Sequence, residues 1–167
     1  MKELTLKLAS INPNKPFDQL LQEISKGILS DNEELILNCS ALLIRLIQSG
    51  LNIKKLSRSL EEGLMDYIPI LTKLITSNIN NEIKNNLVES LYLCTTKESL
   101  KKVMGQHKVM QKVIGLLEKM IKKKKKEKNA VMVTKMLMLL GNMLLKNQVK
   151  KKKKEYSFFL IYFFFFN

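Results

Sequence analysis

The chain has 167 residues, 46% of them hydrophobic, with 29 lysines and arginines against 15 acidic residues and a formal net charge of +14. That apolar content can fill one core, so the chain is one domain or a piece of a larger protein. Its two cysteines, each on an apolar helical stripe, argue for reduced thiols rather than a disulfide framework, and its first sixteen residues, MKELTLKLASINPNKP, hold no apolar run long enough for a secretory signal.

An intracellular protein is therefore expected, in the cytoplasm, with the nucleus also open. The charge is regional. Residues 1–100 hold 11 basic against 12 acidic residues, whereas residues 101–167 hold 18 against 3. Most of the excess sits in two lysine runs, Lys122 to Lys126 and Lys150 to Lys154, so a pI near 9.8 says little about the first two thirds of the chain.

In chain order, Pro16 suits the first turn of a helix in which Leu20, Ile24 and Ile28 recur every fourth residue. Asp31 and Glu34 form a D-x-x-E capping arrangement for a second helix, which carries Leu35, Cys39, Leu42, Leu43 and Leu46 and ends at Ser49-Gly50. A shorter helix is predicted from about Asn52 to Glu62, stopped by Gly63. The next helix opens with Asp66 as cap and Pro69 in its first turn, and repeats the earlier spacing as Tyr67, Leu71 and Ile75.

After the Asn-rich turn Ser77 to Asn81 comes a helix with Ile83, Leu87, Leu91 and Cys94 on one face. Thr95 and Glu98 form another capping arrangement, before a short helix ending at Gly105. A third start near His107 carries Val113, Leu117 and Ile121, and beyond a lysine-rich insertion a last helix carries Met132, Met136, Leu139, Leu140 and Met143. The long-helix stripes recur at offsets of 48 and 49 residues and the preceding stripes at 47 and 46. The chain thus reads as all-α, in three units at about residues 17–62, 64–105 and 107–148. None of these helices can hide its stripe alone, so the units are expected to stack into one continuous core.

From Tyr67 to Gly105 the chain resembles an armadillo or HEAT-type repeat. Ile68-Pro69-Ile70-Leu71 and Leu74-Ile75-Thr76-Ser77 look like the usual second helix, Leu91 to Cys94 like the Leu-x-Asn-Leu stretch of the third, and Leu140-Gly141-Asn142-Met143 is closer still. The resemblance covers about residues 17–148. It implies a right-handed α-solenoid, an armadillo-like superhelix of about three repeats, that works as a non-catalytic scaffold and holds a peptide or protein partner along the groove of its longer helices. Armadillo importers of nuclear cargo use a ladder of Trp and Asn. Here there is no tryptophan, and only Asn142 occupies the ladder's Asn position, with Arg45 and Leu93 at its equivalents.

Helical phase places one row beside the core stripe: Asn38, Ala41 and Arg45, then Asn86, Glu89 and Leu93, then Lys135, Met138 and Asn142. The candidate partner-binding residues are Asn38, Arg45, Asn86, Glu89, Lys135 and Asn142. Asn amides can bond the backbone of an extended peptide, and Arg45 or Lys135 would favour an acidic one. The plainer reading of the same row is a solvated helix edge. A second function class is open too: a basic module docking on nucleic acid or an anionic membrane through six lysines between Lys122 and Lys128, though no aromatic stacking residues or zinc ligands accompany them.

No cofactor, metal or enzyme chemistry is expected. His107 is the only histidine, the methionines of the last helix read as adaptable core filling, and Glu61 and Glu62 read as surface charge. The tail from Val149 to Asn167 has nine consecutive apolar or aromatic residues, Phe158 to Phe166, too few for a membrane span of about 20. Gln-Val-Lys-Lys is encodable by CAG followed by GTAAAAAA, the form of a splice donor, and poly-Lys followed by poly-Phe matches A-rich then T-rich intron sequence. The tail is accordingly expected to be intron-derived, with the coding exon ending near Gln148 and further repeats beyond it.

Overall fold

The protein is described here by a computed structural model over residues 17–50, 54–122 and 130–147. Among these residues it is entirely helical. The helices are α1 (Phe17–Ile28), α2 (Glu33–Gly50), α3 (Lys54–Leu74), α4 (Asn81–Cys94), α5 (Glu98–Gln106), α6 (Val109–Lys122) and α7 (Ala130–Asn147). Lys123 to Lys128 and the tail from 149 to 167, on which the intron reading and much of the basic-module reading rest, lie outside the described residues, as does Pro16.

The three long stripes meet. Helix α2 packs on α4 and α4 on α7, so the three lie in a row with α4 in the middle. A second row runs α1, α3, α5, α6, each touching the next, and α1 against α2, α3 against α2 and α4, and α6 against α7 close the space between the rows. One cluster of buried side chains fills it, from Leu20 and Ile24 through Leu43, Ile47, Leu64, Leu71, Leu87 and Leu91 to Val113, Met136 and Leu139. The burial of these apolar faces is the dominant force holding the helices together.

Gly63 does not stop a helix. Helix α3 runs through it, which merges the expected short helix with the start of the next unit and puts Pro69 in the interior, and Asp66 inside the helix, exposed, rather than at a cap. The reason is phase. Leu60, Leu64, Ile68, Leu71 and Ile75 are all fully buried at intervals of four, four, three and four, so one face stays continuously covered. That burial outweighs the hydrogen bond that Pro69 cannot donate to the Met65 carbonyl. Gly63 serves packing instead: a Cβ built there would lie 2.5 Å from Leu21 Cδ2, so its missing side chain is the notch into which α1 fits.

Between α5 and α6 the same arithmetic forces a break. Leu100, Met104, Val109, Val113 and Leu117 are buried at intervals of four, five, four and four, and the five throws the stripe out of helical phase. His107 caps α5, and Lys108, with φ of 54°, makes the turn. No glycine among the described residues has a positive φ, so the helix end expected at Ser49-Gly50 is not made by a left-handed glycine.

Two capping assignments shift as well. Helix α2 is capped by Asn32, whose Oδ1 accepts from the Leu35 N–H at 3.0 Å, one residue beyond Asp31. Thr95 closes α4 rather than opening α5: its hydroxyl donates to the Tyr92 carbonyl at 2.6 Å, while α5 starts after Lys97 with no side-chain cap.

Candidate functional site

The row beside the core stripe lies on α2, α4 and α7, and the structure divides it into two kinds of residue. Asn38 and Arg45 on α2 are exposed, as is Met138 on α7. The other four candidates are engaged between helices. Asn86 Nδ2 donates to Ser40 Oγ at 3.0 Å, tying α4 to α2. Lys135 Nζ sits 2.7 Å from Glu89 Oε2 and 5.2 Å from the centre of the Tyr92 ring, tying α7 to α4. Asn142 Nδ2 donates to Thr95 Oγ1 at 2.9 Å, and its backbone carbonyl accepts from Lys101 Nζ at 2.9 Å.

These bonds are located where α4 touches α2 and where α7 touches α4 and the residues that follow it. Ser40 is fully buried and Thr95 nearly so, and each hydroxyl also donates to a backbone carbonyl of its own helix, leaving its lone pairs for the incoming Asn amide. Asn86→Ala and Asn142→Ala are each expected to lower stability by about 0.5–1.5 kcal/mol in urea unfolding, the usual net worth of a hydrogen bond. An effect near zero at both positions would return these residues to the solvated edge.

Glu61 is not surface charge. It is half-buried on α3, where Oε2 accepts from Ser99 Oγ at 2.7 Å and Oε1 lies 3.3 Å from Lys97 Nζ, clipping the start of α5 to α3. Tyr67 is a further clip that helical phase alone concealed, its hydroxyl donating to the Leu21 carbonyl of α1 at 2.9 Å. A tyrosine on an otherwise aliphatic stripe was the available signal, since a buried phenol needs a partner for its O–H.

Both cysteines are buried and free. Burial pushes the Cys94 thiol up to about 12 and raises that of Cys39. A thiol held protonated is a poor nucleophile. Neither should react with a thiol reagent in the folded protein at about pH 8, and both should react once it is unfolded. The unfolded Cys94 loses its proton near 9.0 and the folded one only near 12, so stability falls as pH rises between those values. Fast labelling of the folded chain would contradict this.

Among the described residues no group of three His, Cys, Asp or Glu side chains could hold a metal ion, and no helix is long and apolar enough to cross a membrane. Asn85 Oδ1 is buried on α4 with no hydrogen-bond partner among the described residues. A cleft of about 400 Å³ opens between the 75–80 connector, the first turns of α4, one face of α6 and Met132 of α7. No family model, curated protein or solved structure matches the chain.

Proposed function

We propose that the chain is a segment of an armadillo-like helical solenoid and acts as a non-catalytic scaffold that binds a peptide or protein partner along the exposed edge of α2, α4 and α7, in the cytoplasm or nucleus. The observation that carries this reading is a spacing shared by four of the bonds between helices, beside those of Glu61 to Ser99 and Asn142 to Lys101, which span 38 and 41 residues. Tyr67 to Leu21 spans 46 residues, Asn86 to Ser40 spans 46, and Asn142 to Thr95 spans 47. The Glu89–Lys135 pair has the same separation. Contacts that recur at the period of the sequence repeat are what stacking of equivalent units produces.

With Asn86, Glu89, Lys135 and Asn142 holding helices together, the contact surface left to a partner centres on Asn38, Arg45 and Met138. Arg45 favours an acidic segment through charge-assisted hydrogen bonds, and Met138 supplies an adaptable apolar contact. The test is affinity capture with the full chain and with an Arg45→Glu/Met138→Glu variant, at ~0.15 M and ~0.5 M salt. The scaffold reading expects a partner retained at both salts and lost in the variant. Partners held equally by the variant overturn it. Partners that leave both proteins at high salt favour instead a basic module working through the lysine runs.

A further inference from the structure

The row of α2, α4 and α7 has two ends, and at each end apolar positions stand half-open that are closed elsewhere in the row. The three helices correspond at offsets of 48 and then 49 residues, so each position can be compared with its equivalents. Leu42 on α2 corresponds to Ser90 and Leu139, and Leu35 to Ile83 and Met132. These four equivalents are at most 2% exposed, whereas Leu35 and Leu42 are only half-buried. The last helix shows the converse. Leu137 corresponds to Ser40 and Val88, and Leu144 to Ile47 and Thr95, again at most 2% exposed, whereas Leu137 and Leu144 are half-buried.

These positions belong to the faces through which the row is joined. Ser40 on α2 receives Asn86 of α4, and Thr95, just after α4, receives Asn142 of α7, with the Tyr92 ring 5.2 Å from Lys135 Nζ. On α7 the same receiving face carries Leu137, Gly141 and Leu144, and a Cβ built at Gly141 meets nothing within 4 Å. On α2, Leu42 lies two residues from Ser40, about 200° round the helix, and so is turned away from α4. The last helix therefore presents one half of the joint and the first helix the other. The outer faces of a solitary array are polar instead.

Charge identifies the occupant. Residues 17–50 hold five acidic and two basic residues, and residues 106–147 hold two and eleven. Glu89 meets Lys135 and Thr95 meets Asn142, so α4 and α7 run parallel. Continuing the row in that sense places the start of an incoming α2, where Asp31, Glu33 and Glu34 are exposed, beside the start of α7, which Lys122 to Lys126 and Lys128 precede in sequence. Opposite ends thus bring carboxylates to lysines, whereas two α7 ends would bring lysines to lysines. We propose that copies of this chain associate head to tail, the α2 face of one seated on the α7 face of the next, so that the row continues across molecules. The inference rests on the stacking of equivalent units proposed above and needs no partner at the exposed edge.

The experiment is sedimentation of the purified, nuclease-treated full chain over ~1–100 μM at ~0.05 M and ~0.5 M salt. The average mass is expected to rise past that of a dimer, because a head-to-tail joint leaves a free face at each end of every complex. Gly141→Arg, which blocks the α7 face, and Leu42→Arg, which blocks the α2 face, should each stay monomeric. Glu33→Lys/Glu34→Lys should associate about tenfold or more weakly at the lower salt. Mixing Gly141→Arg with Leu42→Arg should restore association and stop at the dimer, since each variant keeps one intact face. Glu33→Lys/Glu34→Lys, altered only at exposed positions, replaces Leu42→Arg in the mixture if that variant loses helicity. A parent chain that stays monomeric while the amides of α4 remain its slowest to exchange overturns the joint and leaves the stacking of units intact; its faces are then covered by residues 1–16 or 148–167 of the same chain. A parent mass that stops at the dimer assigns a contact between like faces and overturns the proposal. Association undiminished in both Gly141→Arg and Glu33→Lys/Glu34→Lys overturns it as well.

Discussion

Replacing Leu87 with alanine is expected to lower the stability of the protein by about 2–5 kcal/mol, the range for truncating a fully buried leucine. Leu87 is fully buried on α4, and α4 is the helix that touches α2, α3 and α7 together. Removing its branched end takes apolar surface out of the packed interior and leaves a cavity on the helix that three others pack against. A domain of this size is stable by only about 5–15 kcal/mol, so the variant should unfold at markedly lower urea with little change in the steepness of the transition. Ile114→Ala is the matched control. Ile114 is 41% exposed on α6, and its truncation should stay within about 0.5–1 kcal/mol of the parent protein. Equal effects at the two positions would mean that α4 is not at the centre of the core.

Glycine substitutions should split by sign according to the helix face they occupy. At Gly27 an added Cβ would overlap Cys39 Sγ on α2, and at Gly63 it would press on Leu21, which is itself 2% exposed. Gly27→Ala is expected to destabilise by about 1–3 kcal/mol, the range for overpacking a filled core. Gly63→Ala should fall lower in that range, because the opposing atom is the end of a leucine. At Gly115 and Gly141 a Cβ meets nothing within 4 Å, and both lie inside helices. There alanine should stabilise by about 0.5–1 kcal/mol through the lower entropy it surrenders on folding. The decisive variant is Gly27→Ala combined with Cys39→Ala. If the clash is the cause, the pair should lose less than the two single changes added together.

The sequence read well wherever burial alone set the outcome. The stripes on α2, α4 and α7, from Cys39 and Leu43 through Ile83, Leu87 and Leu91 to Met132, Met136 and Leu139, are buried as their spacing predicted, and those three helices do lie side by side. It read less well where two rules competed. Gly63 and Pro69 carry the local chemistry of a helix boundary, yet the unbroken phase from Leu60 to Ile75 kept α3 continuous. The phase gap between Met104 and Val109 was the better guide, and it does coincide with a turn.

The proposed contact row was legible as a row but not in its division of labour. Helical phase places Asn86 and Asn142 beside the stripe in the same way as Asn38 and Arg45. It does not tell which side chains face a neighbouring helix. That depends on Ser40 and Thr95 presenting hydroxyls on the opposite surfaces, a contact between residues 46 and 47 positions apart. The cleft at Lys112 and Lys119 escaped notice for a related reason. Its lining comes from the 75–80 connector, two helices and one residue of a third, and only the fold brings them together.

The mutual shelter of α2, α4 and α7 is tested most directly by native-state hydrogen exchange. Helix α4, covered on both sides, should contain the slowest amides of the chain, around Leu87 to Leu91, with opening free energies equal to that of global unfolding measured in denaturant. Amides of α4 that exchange by cheap local opening, while those of α3 or α5 outlast them, would show that the middle helix is not held by its two neighbours.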